Sequence, residues 1–88
     1  MPTPNFYYAN EEMPPQGVPP RNQGHIPVIV RLINEANGVH YRPAVAIRWT
    51  QTHVMVKIEG AGHQGADDLA WVRASDVWRI LRQGDLTR

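Results

Sequence analysis

The chain has no cysteine, one serine (Ser75), one lysine (Lys57) and one phenylalanine (Phe6). Without cysteine there is no disulfide framework, thiolate zinc site, CxxC redox pair or cysteine nucleophile. The single serine is accounted for as a helix cap, which leaves no serine for nucleophilic catalysis. There is no GxSxG, no glycine-rich phosphate loop ending in Lys-[Ser/Thr] and no HExxH. No run approaches the roughly 18 apolar residues of a membrane span, the longest stretches being 27–30 and 43–47. No charged-then-apolar signal segment opens the sequence, so the expectation is a soluble, cytoplasmic protein. Nine basic against eight acidic side chains leave a formal charge of +1, with no overall pull towards nucleic acid or acidic lipid. Eighty-eight residues suffice for one small domain.

What is present is unevenly placed. Six of the eight prolines (Pro2, Pro4, Pro14, Pro15, Pro19, Pro20) fall in the first 20 residues. Proline fixes φ and removes a backbone donor, so this stretch reads as an extended, polyproline-like arm over 1–25. The arm carries Phe6, Tyr7 and Tyr8, a cluster that a plain linker does not need. Those aromatics are expected to anchor on the arm's own domain, on a sister subunit or on a partner, against the alternative of a floppy tail. The arm holds one basic and two acidic side chains, whereas residues 26–88 hold eight basic and six acidic.

From residue 26 the hydrophobic pattern becomes regular. Residues 26–33 (IPVIVRLI) read as a strand with Val28, Val30 and Leu32 buried, and Asn37-Gly38 signals a turn. Residues 41–49 alternate, with Val45, Ile47 and Trp49 expected on the core face and Ala44, Ala46 and Arg48 on the other. Residues 54–58 alternate too, with Val54, Val56 and Ile58 inward. For the two sets to share a face, odd residues must pair with even ones, which favours a four-residue loop over 50–53. Residues 59–68 are a glycine-rich loop, and 69–73 a short strand with Trp71 and Val72 on opposite faces. A short helix is expected from the Ser75 cap towards Gly84, burying Val77, Ile80 and Leu81. The rival reading is a single helix over 67–83.

This order resembles an SH3-like small barrel, in which a short helical turn precedes or replaces the last strand. The stretches RPAVAIRWTQTHVMV from Arg42 and WVRASDV from Trp71 are also similar to small actinobacterial and actinobacteriophage proteins of unassigned function. The likeness covers roughly residues 26–80 and rests on hydrophobic pattern, so it implies a fold and no activity. The expected architecture is mainly all-β: an SH3-like barrel of four or five antiparallel strands over 26–83, a short C-terminal helical turn, the arm over 1–25 and a tail over 84–88.

Catalytic signals are poor. Asp67 and Asp68 are loop neighbours that read as solvated acids, and His25, His40, His53 and His63 lack metal-ligand spacing. No catalytic residue, metal or cofactor is expected. Of Trp71 and Trp78 one should be exposed, given so small a core. The expected function is a non-enzymatic protein-interaction or assembly module, such as a phage protein that binds a host factor or a virion component, acting in host cytoplasm or virion. Its contact residues would be Phe6, Tyr7, Tyr8, Arg48, Met55, Trp71, Arg73 and Trp78, with a protein partner or a sister subunit joined through the arm. The alternative is a nucleic-acid binder using Arg31, Arg42, Arg48 and Lys57, with His53 on the same exposed face as Arg48 and Lys57.

Overall fold

A computed structural model of the chain describes residues 8–81. It is mainly β, with five strands: β1 (Ile26–Asn34), β2 (Gly38–Trp49), β3 (His53–Ile58), β4 (Asp68–Arg73) and β5 (Val77–Arg79). All pairings are antiparallel, in the order β4-β3-β2-β1-β5. Phe6, Tyr7 and the tail over 84–88 lie outside the described residues.

The β1–β2 turn forms where Asn37-Gly38 places it. Gly38 takes φ +60, the Asn37 N–H donates to Asn34 Oδ1 at 2.8 Å, and Asn34 pairs with Gly38. From there the register runs unbroken to Ile26 opposite Ala46, so Val28, Val30 and Leu32 share a face with Ala44 and Ala46. The β2–β3 hairpin has the expected connection: Trp49 pairs with Val54 across residues 50–53. Its turn is tied by Thr50, whose hydroxyl accepts the N–H groups of Thr52 and His53.

Along β2 the core parity departs from the sequence pattern. The ladder shifts between Ala46 and Arg48, so one extra residue, Ile47, interrupts the alternation. Trp49 therefore packs against the core, as expected, while Ala44 and Ala46 replace Val45 and Ile47 in the cluster that holds Val56, Ile58, Ala70 and Val72. Val45 is half-buried on the opposite face, and Ile47 is buried at the bulge.

The expected helix from Ser75 does not form. Ala74–Asp76 is one 3-10 turn, and Val77 is already extended at φ −131 and ψ 133. Three residue pairs join Val77, Trp78 and Arg79 to β1, whose edge would otherwise lack a partner. Ile80 is consequently half-buried just past the strand and Leu81 is exposed, rather than both lining a buried helix face. The single-helix alternative over 67–83 fails because Asp68–Arg73 is fully paired with β3.

The ladder does not close into a barrel, since β4 and β5 end the sheet without pairing. Residues 8–12 instead lie between β4 and the part of β1 that runs beyond β5. The Ala9 N–H donates to Ile33 O at 2.7 Å. Asn10 acts as a side-chain strand, donating to Arg31 O (2.8 Å) and accepting from the Ile33 N–H (3.1 Å). On the other edge Glu11 bridges to Val72, and the Glu12 N–H donates to Trp71 O at 2.9 Å. Tyr8 is 2% exposed within the core cluster, and its phenol donates to Asp68 Oδ2 at 2.9 Å. The arm is thus part of the domain from residue 8 onward.

Truncating Tyr8→Ala should cost roughly 3–5 kcal/mol, the range for emptying a buried aromatic site. Tyr8→Phe should cost about 1.5 kcal/mol, since it removes only a bond to a carboxylate. Urea unfolding measures both. An unchanged midpoint after deletion of residues 1–12 would show that the arm is dispensable to the fold.

Candidate functional site

The five strands present two faces, and the arm touches the edge of β4, the part of β1 beyond β5, the inner core through Tyr8 and the outer face. Glu12 is its main anchor. The Arg73 Nε donates to both Glu12 oxygens (3.1 and 3.0 Å), and His53 Nε2 lies 2.7 Å from Glu12 Oε2. His53 is 5% exposed, and its Nδ1 sits 2.7 Å from the Thr52 hydroxyl. With the proton on Nε2, the ring donates to Glu12 and accepts from Thr52, so both nitrogens are satisfied. The hydrogen bonds from Arg73 and then His53 hold the Glu12 carboxyl below the ordinary 4.5 of glutamate, and Glu12 in turn raises Arg73. The line Thr52–His53–Glu12 has the order of a hydroxyl–imidazole–carboxylate relay. Here, however, the carboxylate is clamped by Arg73 and the imidazole is enclosed, so the arrangement serves as an anchor for the arm.

Beyond Glu12 the arm passes the β2–β3 turn, leaving a groove of about 320 Å³ between residues 15–17 and 50–52. It then reaches Arg48, whose Nε donates to Asn22 Oδ1 (2.9 Å) and Nη1 to Pro19 O (3.3 Å). The Gln23 N–H donates to Ile47 O, and the Gln23 side chain accepts from the Trp49 N–H, both at 2.7 Å. Gly24 then crosses the Trp49 ring so closely that a Cβ would come within 3.1 Å of it.

These contacts reassign several of the expected partner residues. Tyr8 belongs to the core and is closed to a partner. Trp71 is 5% exposed, because the strand that carries it is flanked by the arm rather than by solvent. Met55, half-buried, lies opposite both Arg48 and Trp71. Arg73 is exposed but engaged with Glu12. His53, expected on an exposed face, is buried for the same reason. Trp78 remains 48% exposed.

The cations considered for nucleic acid do not gather into one patch. Arg31 pairs with Asp76 at 3.3 Å, and Asn10 donates to the same carboxylate at 3.0 Å. Arg42 lies opposite Val30, on the other sheet face from Arg31, and reaches Glu59 O at 3.4 Å. Lys57 stands between Val45 and Leu69 on the outer face. Among the described residues there is no cluster of three or more groups suited to a metal, and no helix long and apolar enough to cross a membrane.

Two features remain open. On the outer face, Tyr41 (58% exposed) and Trp78 place their ring centroids 5.9 Å apart at 52°, a separation typical of interacting aromatics. Val39 is exposed two residues from Tyr41 on the same face, and Ile29 lies opposite both Trp78 and Pro43. On the inner face, a cavity of about 310 Å³ is lined by Val28, Ala46, Trp49, Val54 and Val77, with Arg79 its one charged lining residue. The sequence reading missed Tyr41, Val39, Asn10 and Glu12. An acidic arm beside a basic domain was the available signal for Glu12, while Tyr41 needed the register of β2 against β1.

Because the folded Glu12 carboxyl is depressed, its contribution to stability is present above about pH 4.5 and is lost as pH falls through the lower folded value. Urea midpoints between pH 3 and pH 7 should therefore fall less steeply on the acid side in Glu12→Gln than in the native chain. Equal acid slopes would remove Glu12 from the account. Compared with known families, curated proteins and solved structures, the chain matches none.

Proposed function

We propose that this chain is a non-enzymatic protein-interaction module whose contact surface is the outer face around Tyr41 and Trp78. The observation that carries the reading is the coupled pair of half-exposed aromatics, flanked by Val39 and Ile29 on a sheet that buries its other tryptophans wholly or in part. Contiguous apolar surface on a small domain is a marker of interaction, and Trp and Tyr are the residues on which binding energy concentrates. The described part of the arm, residues 8–25, supports this reading indirectly, since its recorded contacts lie on β1, β4 and the β2–β3 hairpin and none falls on Tyr41 or Trp78.

The test is a selection with the full chain as bait against displayed genomic fragments from its source, followed by rebinding to variants. Trp78→Ser and Tyr41→Ser should each weaken the selected complexes roughly tenfold or more while the fold is retained by circular dichroism. Complexes indifferent to both substitutions would place the contact elsewhere. Oligonucleotide binding that falls steeply with salt would instead favour the distributed arginines.

A further inference from the structure

The domain treats its two sheet edges differently. On β4 the arm supplies a partner through Glu11 and Glu12, and on β1 the length beyond β5 is covered by Ala9 and Asn10. Among the described residues β5 receives no such cover. The Ile80 N–H donates to Pro27 O, so by antiparallel alternation Trp78, opposite Ile29, turns its backbone groups to β1. Arg79, opposite Val28, turns its N–H and C=O away from β1, as does the Val77 C=O; the Val77 N–H is taken by Ala74 O. Among the described residues none of these three outward groups has a backbone partner.

This bare edge is flanked by the two open features. Its odd neighbours across the pleat differ in kind: Trp78 stands with Tyr41 on the outer face, while Val77 and Arg79 line the 310 Å³ cavity on the inner face. A strand laid beside β5 would send alternate side chains to these two places, because successive residues point to opposite faces. Main-chain hydrogen bonds would give affinity, and the cavity and the aromatic pair would give selectivity.

Resting on the interaction reading above, we propose that β5 accepts an added strand from a partner protein: an extended segment that puts an apolar side chain into the inner cavity, an acidic residue two positions away against Arg79, and an apolar residue between them onto Trp78. The charge decides against a second copy. Two chains joined through β5 would bring both Arg79 guanidiniums onto the same face of the junction at neighbouring positions, which like charges oppose.

The probe is a displayed library of random linear octapeptides, selected on the full chain and followed with a synthetic peptide of the selected sequence. Selected sequences should show an apolar residue and an acidic residue spaced by two, with no proline between them. The peptide should shift the amide resonances of residues 77–81 and the Trp78 indole. Arg79→Pro removes the outward N–H without touching the β1 ladder, so it should weaken binding roughly tenfold, and Arg79→Ala less. Ala74 also lines the cavity, so Ala74→Leu, which narrows it, should do likewise, and Arg79→Glu should change the selected acid to a base. Binding abolished by Trp78→Ser but untouched by Arg79→Pro and Ala74→Leu would overturn the added strand and leave the interaction face standing. Binding indifferent to all of these overturns both. Self-association of the chain that depends on Arg79 and Trp78, or an empty selection, overturns the strand-accepting edge.

Discussion

An open sheet of five strands has two edges, and the backbone groups along them must meet partners or water. In this chain the first constraint is met by residues 8–12, which bond to the edge of β1 through Ala9 and Asn10 and to the edge of β4 through Glu11 and Glu12. Tyr8 is what makes the insertion specific. Its ring completes the cluster of Val30, Leu32, Val56 and Val72, and its hydroxyl ends on Asp68 at the start of β4. One side chain from the chain's beginning therefore ties the first strand to the fourth across an opening the ladder cannot close.

The rest of the arm follows from that fixed point. Prolines 14, 15, 19 and 20 contribute no N–H to be satisfied, so the segment crosses the sheet without a ladder of its own and is held by side chains at its two ends. Glu12 anchors one end on Arg73 and His53, and Arg48 and Gln23 anchor the other. The cost of this arrangement is that several residues suited to a partner are used internally. Among the described residues Val39, Tyr41, Trp78 and Leu81 are exposed on or beside β2 and β5, and of these only Tyr41 and Trp78 form an aromatic pair, which is why the functional reading narrows to them.

Much of the strand content was legible because it depends on local chemistry. Asn37-Gly38 turns the chain wherever it is placed, and the alternation of Val54, Val56 and Ile58 requires one buried face. The β2 parity was misread because a bulge depends on the neighbouring strand: with Arg48 beside Met55 and Ala46 beside Val56, three residues of one strand's path face two of the other's. Residues 75–81 were misread for a similar reason. Ser-Asp followed by Val and Ile at helical spacing is a sound helix signal, but one local turn competes poorly with an open edge on β1.

The chain has no cysteine, one serine and no long apolar run, and its charge is nearly balanced. Composition and periodicity by themselves determined an all-β domain, the positions of its turns and a proline-stiffened arm, since each follows from what a residue does to its own backbone. Only the tertiary structure decided where that arm lies, which tryptophan is enclosed, and that His53 and Glu12 meet across 41 residues of sequence. Those outcomes depend on which surfaces remain unpaired once the sheet has formed, and no local pattern carries that information.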